Sequence, residues 1–335
     1  MEVTSHVRLA VADASGVGEA RRVATRLGRD HGLAETDVGR VALIVTEAAT
    51  NLVKHAGGGE LLLASTADGR PGLGVLALDR GPGMRNVGEA LRDGYSTSGT
   101  PGTGLGAISR LASVFDVYSV AGAGTALFVG IGSAGPGLEP HGLVAGGVNV
   151  PHPAEEVSGD AWAISPSRDR ARLLVADGLG HGVRAAEASA LAARVFAEKA
   201  AEPSTTAVLE RIHDALRPTR GAAVAIVELD RARRLVRFSG IGNIAGTIVG
   251  DGGTRSVVSQ HGTAGHDVRR IQEFTYPWPA AGLLVLHSDG LISHWTLDAY
   301  PGLARRHPAL VAGVLYRDFR RGRDDTTVVV VREAV

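Results

Sequence analysis

Apolar side chains along this chain recur with two alternating periods, and the alternation maps two sets of helices and strands. Over 35–55 the spacing is helical, with Val41, Ile44, Val45, Ala48 and Leu52 on one face. Runs such as LLLAS and TTVVVV read instead as strands. The pattern predicts a strand at 5–12, helices at 15–32 and 35–55, and strands at 60–67 and 73–79. A glycine-rich loop follows at 93–103, then a helix at 104–114 and strands at 115–121 and 124–131. The segment GSAGPGLEPHG, 132–142, is rich in Gly and Pro and lacks periodicity. It divides the chain into domains 1–133 and 143–335, joined by a linker at 134–142. Beyond it the pattern predicts strands at 143–149, 158–164 and 171–176, then helices at 183–200 and 203–216. Strands are predicted at 222–229, 233–240, 243–249, 254–259, 271–276 and 282–288, then a helix at 302–317 and a strand at 325–332. Helices beside short antiparallel strands in both halves point to two layered mixed α/β domains.

A length of 335 residues and an apolar fraction of 44% supply two cores. Formal net charge is zero, so no basic surface advertises nucleic acid or an anionic membrane. The absence of cysteine excludes disulfides, thiol catalysis and cysteine-ligated zinc. The opening MEVTSHVRLA is not a signal peptide, and no apolar run approaches the roughly 20 residues of a membrane span. A cytoplasmic protein is the expectation.

In the first half, Glu47 and Asn51 stand one helical turn apart, off the apolar face, with His55 a further turn on. Asn51 offers a neutral oxygen suited to Mg²⁺, and Glu47 a carboxylate able to take a proton. An ordinary solvated helix face carries the same pattern. Asp79 ends an apolar strand and precedes Gly81 and Gly83. A carboxylate there can accept the amine of adenine, although a hairpin turn has the same signature. Gly102, Gly104 and Gly106 lead into a helix whose free N–H groups suit phosphate.

In the second half, Asp160, Asp177, Asp289 and Asp324 each border an apolar strand, and Asp325 follows directly. A single Asp-Gly is most often a turn. Several buried strand ends bearing carboxylates cost solvation energy unless a cation gathers the charges. Two divalent ions there would acidify a water and aim it at a phosphoester.

The first-half residues resemble the GHKL ATP-binding superfamily over about 5–131. Glu47-x-x-x-Asn51-x-x-x-His55-Ala56, Asp79-x-Gly81-x-Gly83, Gly102-Thr103-Gly104-Leu105-Gly106 and the late Thr125 carry the resemblance. The branch is that of the bacterial anti-sigma and switch kinases of the SpoIIAB, RsbW and RsbT type, and DGYSTSG is especially RsbT-like. The resemblance implies Glu47 as general base, Asn51 as Mg²⁺ ligand, and an ATP site that also uses Lys54, His55, Asp79, Gly81, Gly83, Gly102, Thr103, Gly104, Leu105, Gly106 and Thr125. Residues 143–335 resemble the SpoIIE-like branch of the PPM metal-dependent Ser/Thr phosphatases, through GD at 159–160, DGLGHG at 177–182, SDG at 288–290 and DDTT at 324–327. SGIGNI at 239–244 and HGTAGH at 261–266 narrow this to an RsbX-like phosphatase. By that resemblance two Mn²⁺ or Mg²⁺ ions are held by Asp177, the Gly178 carbonyl, Asp289 and Asp324, with Asp160 near one ion and Asp325 behind the ligands. His181 and His266 are proton donors, phosphate contacts or structural residues.

The implied fold is α/β: an amino-terminal GHKL (Bergerat) sandwich followed by a PPM-type α/β/β/α sandwich. The implied function is a bifunctional switch that phosphorylates Ser or Thr of STAS-domain proteins, of a stressosome or anti-anti-sigma type, and dephosphorylates them. A downstream signalling protein held by the kinase domain is a further implied partner. The alternatives are a phosphatase gated by nucleotide sensing and a module that sequesters a sigma factor.

Overall fold

A computed structural model describes residues 5–65, 71–91, 104–132, 142–167 and 169–334. The chain forms two compact units: 6–137 together with 296–317, and 138–295 together with 318–335 and the first five residues. The expected continuous division at the linker therefore has an exception, because 296–317 belongs with the amino-terminal unit. Among the described residues no helix is long and apolar enough to cross a membrane.

The amino-terminal unit is built on an antiparallel sheet of order β1-β2-β3-β5-β4. Its strands are β1 (Val7–Val11), β2 (Gly59–Ser65), β3 (Gly72–Leu78), β4 (Val114–Ser119) and β5 (Thr125–Gly132). Helices α1 (Ala14–Asp30) and α2 (Glu35–Ala56) cover one face, and two short helices follow, α3 (Val87–Ala90) and α4 (Gly104–Leu111). The Asp13 carboxylate caps α1 by accepting from Ser15 N and Gly16 N. Gly57, in the left-handed region at φ 71°, ends α2. The α2 stripe Val41, Ile44, Val45, Ala48 and Leu52 is buried with Leu61, Leu63, Val75, Ala77, Leu127 and Val129, the alternate residues of β2, β3 and β5.

The other set of alternates, Leu62, Leu76, Leu78, Tyr118 and Phe128, is also buried. The segment 296–317 lies against Leu76, Leu78 and Phe128. It comprises a 3₁₀ turn (Leu303–Arg305) and most of helix α7 (Pro308–Phe319). A Cβ on Gly313 would stand 3.1 Å from Leu76 and 3.3 Å from Leu78. The His307 ring stacks on Phe128 with centroids 4.4 Å apart. Asp116 accepts from His307 N at 2.6 Å and pairs with Arg306 at 3.3 Å.

The second unit is a sandwich of two antiparallel sheets, β13-β10-β9-β8-β7 and β12-β11-β14-β15-β6. The strands of the first are β7 (Asp160–Pro166), β8 (Arg170–Gly178), β9 (Ala222–Asp230), β10 (Leu235–Ile241) and β13 (Phe274–Pro277). Those of the second are β6 (Leu143–Val150), β11 (Ala245–Gly250), β12 (Gly253–Val257), β14 (Leu283–His287) and β15 (Thr326–Glu333). Trp162, Leu173, Val175, Val227 and Phe238 meet Ile248, Leu284, Leu286, Val329 and Val331 between the sheets. Helices α5 (Val183–Lys199) and α6 (Thr205–Leu216) bury Ala188, Ala192, Phe196, Val208 and Ile212 against the outward residues Leu174, Ala176, Val224 and Ile226. The predicted helix at 302–317 starts six residues later than expected, at Pro308, where proline's fixed φ suits a first turn.

Candidate active sites

In the amino-terminal unit, α2 presents Glu47 and Asn51 side by side, both half-buried, while Lys54 and His55 near its end are exposed. The start of α4 lies directly over the pair. A Cβ on Gly104 would meet Asn51 Oδ1 at 3.3 Å and Glu47 Oε2 at 3.4 Å, so the absent side chain lets backbone approach both groups. Gly106 is buried and Leu105 packs on the core. Gly102, Thr103 and the DGYSTSG stretch lie outside the described residues.

Asp79 follows β3 directly. Its Oδ1 accepts from Gly81 N at 2.8 Å and Thr125 N at 3.1 Å, leaving Oδ2 uncommitted among the described residues. Burial pushes this carboxyl upward; the two N–H bonds and the positive charges of Arg317 and His55 oppose the shift. Gly81 sits against Ala56, where a Cβ would come within 2.6 Å of the Ala56 methyl. Gly83, at φ 65°, leaves no room for a side chain beside the Val120 carbonyl, 2.1 Å from a built Cβ. The Thr125 and Ser119 hydroxyls bond at 2.9 Å. Glu47, Asn51, Gly104 and Asp79 thus line elements that converge around α2.

In the second unit the strand ends bring the carboxylates together. Asp160 and Asp177 face each other in register across β7 and β8. Like charges opposite one another repel, and both are withdrawn from water. Asp160 is buried; Ser288 Oγ donates to its Oδ2 at 2.6 Å, and Asn149 Nδ2 donates to its carbonyl at 3.1 Å. Burial, with the charges of Asp325 and Asp289, pushes the Asp160 carboxyl up to about 7 against the Ser288 bond. Asp177 is pushed up to about 9 by burial and by Asp160, Asp289, Asp324 and Asp325. Asp289 is raised by burial and Asp324, and held back by Arg321 and by Asn243, whose Nδ2 donates to its Oδ2 at 2.8 Å. Asp325 is raised chiefly by burial; it accepts from His152 N at 2.8 Å. Five acids therefore repel one another at these strand ends. Gly178 continues β8 past Asp177, and its N–H bonds the Gly159 carbonyl at 3.0 Å.

Among the described residues, Asp160 Oδ1 and Asp325 Oδ2 are buried and neither accepts a hydrogen bond of normal geometry. Orphaned carboxylate oxygens in a mutually repelling cluster are the donor set a divalent cation satisfies. Among the described residues, however, no three His, Asp or Glu side chains converge on one ready-made ion position. Hard cations that keep several waters need only one or two carboxylates each, so the donor chemistry still fits. Beside the cluster, His181 Nδ1 and Glu155 Oε1 stand 2.7 Å apart, and the His181 ring stacks on His152. His266 lies in the loop against Gly221.

Sequence reasoning missed Asn149, Glu155 and Arg317, and it quoted Ser288 within SDG without giving it a role. Asn243 stood inside the quoted SGIGNI stretch, but its bond to Asp289 is a long-range contact with no local signal.

Residues 10–130 match the histidine kinase-like ATPase domain family, and residues 167–333 match the stage II sporulation protein E (SpoIIE) family. The serine/threonine-protein kinase RsbT of Bacillus subtilis (strain 168) is 36% identical over 107 residues, which are 32% of this chain and 80% of RsbT. Through its amino-terminal domain the chain belongs to the RsbT family, and a SpoIIE-like domain is fused to it. The fold of this fusion is accordingly a GHKL-type α/β domain followed by a PPM-type sandwich. A solved structure concerned with the bacterial stressosome, a modular system adapted to control secondary messenger signalling, is 26% identical at TM-score 0.53. It covers 57% of the fusion and 99% of that chain. RsbX in complex with magnesium is 19% identical at TM-score 0.50, with 57% and 96% covered, and shows a shared fold.

Proposed function

We propose that the fusion is a partner-switching regulator that phosphorylates Ser or Thr on STAS-domain proteins with ATP and removes the phosphate at its acid cluster. In the first half, Glu47 takes the proton of the substrate hydroxyl as its oxygen attacks the terminal phosphate of ATP, releasing ADP. Asn51 holds Mg²⁺ through its carboxamide oxygen, and Asp79 Oδ2 accepts the adenine amine. The start of α4 and the Gly102–Gly106 loop cradle the phosphates through backbone N–H groups. Lys54, His55 and Thr125 complete the rim. In the second half, two Mg²⁺ or Mn²⁺ ions, when bound, supply a water acidic enough to attack a phosphoester. Asp177, the Gly178 carbonyl, Asp289 and Asp324 hold them, with Asp160 beside. Ser288 and Asn243 keep Asp160 and Asp289 aimed.

The observation that carries the reading is the presence in one chain of Gly104 seated on Glu47 and Asn51 and a five-carboxylate cluster with orphaned oxygens. The two activities act on one phosphorylated pool, and its level follows the ratio of their rates. The test is to incubate the full chain with a stressosome STAS-domain protein, ATP and Mg²⁺, and follow intact mass before and after adding Mn²⁺ and removing ATP. Gain and then loss of one phosphoryl group is the expected result. A substrate mass unchanged throughout refutes the kinase half, and a gain that never reverses refutes the phosphatase half.

A further inference from the structure

Asp79 is braced from behind by an arginine that lies 238 residues away in sequence. Arg317, on α7, is 6% exposed. Its Nη1 donates to the main-chain oxygen of Asp79 at 2.8 Å and reaches that of Thr125 at 3.5 Å. Arg80 in turn donates to the Arg317 carbonyl. Asp79 and Thr125 are themselves tied, Asp79 N to the Thr125 carbonyl at 2.9 Å and Thr125 N to Asp79 Oδ1 at 3.1 Å. One guanidinium thus spans the two backbone segments that aim the carboxylate.

We infer that Arg317 is a positioning residue of the nucleotide pocket, holding the Asp79 carboxylate toward the exocyclic amine of adenine, so that base selectivity in the amino-terminal unit depends on the segment 296–317. This rests on the reading of Asp79 as the adenine acceptor. A buried arginine is costly unless its donors are bonded. Here the bonds to Asp79 and Thr125 run to their carbonyls and not to the carboxylate, which leaves Asp79 Oδ2 open. An arginine paired directly with that carboxylate would compete with the ligand amine. One bonded a step behind supplies rigidity and positive potential and leaves the acceptor free. Burial raises the Asp79 carboxyl, and the same potential, with that of His55 from α2, opposes that rise and favours the form that only accepts. Lysine keeps the charge but lacks the rigid planar group that holds Nη1 between the two carbonyls.

The test compares ATP with inosine triphosphate, which lacks the amine, by equilibrium titration of the full chain. Wild type should favour ATP. Arg317→Met should weaken ATP binding roughly ten-fold and leave inosine triphosphate within about two-fold, with Arg317→Lys between. Melting curves check folding, and Arg317→Lys carries the comparison if the methionine variant does not fold. Equal loss for both nucleotides would show a merely structural role and overturn the inference, as would unchanged ATP binding. Asp79→Asn separates the two levels. If it abolishes discrimination while the Arg317 variants keep it, the Arg317 inference alone falls. If it too leaves discrimination intact, the adenine reading falls with it.

Discussion

Cutting the chain after residue 133, where composition marks a boundary, should not release a stable amino-terminal domain. The β2-β3-β5-β4 surface opposite α1 and α2 carries Leu62, Leu76, Leu78, Tyr118 and Phe128, each 7% exposed or less. Gly313 and His307 of the segment 296–317 lie against three of them. Fully burying a large apolar side chain is worth about 1.5–3 kcal/mol, so baring these three costs roughly 5–9 kcal/mol as an upper estimate. Whole domains are stable by only about 5–15 kcal/mol. The loss of the Asp116 contacts to Arg306 and His307 adds to the deficit. Residues 1–133 alone should therefore aggregate, or stay helical by far-ultraviolet circular dichroism without a cooperative melt. Supplying 296–317 through a short flexible linker should restore a sharp transition. The assay is a thermal melt followed in parallel with light scattering. A soluble 1–133 fragment melting cooperatively within a few degrees of the linked form would refute the reasoning.

Other outcomes follow from the two sites. Without metal, the folded acid cluster holds protons that the unfolded chain releases above about pH 4. Stability should fall as pH rises from about 4 to 7 for Asp160 and to 9 for Asp177, by at most about 1.4 kcal/mol per pH unit for each proton, and Mn²⁺ should reverse the fall in a melting series. Asp177→Asn or Asp289→Asn should eliminate p-nitrophenyl phosphate hydrolysis in a folded protein, whereas full activity in chelator would rule out a metal centre. Glu47→Ala should bind ATP as wild type does and lose phosphoryl transfer by at least about 100-fold, read by titration and by intact mass of the substrate.

Local patterning revealed much of this molecule because the helices and strands are amphipathic at their own periods. Val41, Ile44, Val45, Ala48 and Leu52 point to one core, which fixes the outward direction of Glu47 and Asn51. The apolar runs ending on Asp177 and Asp289 mark strand ends for the same reason. Contacts remote in sequence left no such trace. Nothing in the spacing of 302–317 distinguishes a helix lying on Leu76 and Leu78 from one lying on its neighbours in sequence, because α7 is apolar almost all round. Ser288 looks like a turn residue until its hydroxyl is seen on Asp160. The in-register pairing of Asp160 with Asp177 depends on how β7 and β8 are aligned, which composition does not specify.

The position of Arg317 also sets a clock on synthesis. Asp79 leaves the ribosome long before the arginine 238 residues later that bonds its carbonyl. At translation rates of ~5–20 residues per second, that interval is roughly 10–50 s. During it the nascent amino-terminal sheet has helices on one side and bare leucines on the other. Such a surface binds chaperones or neighbouring nascent chains. Codon usage and chaperone supply between residues 133 and 317 should therefore govern the yield of a domain whose own codons were read much earlier.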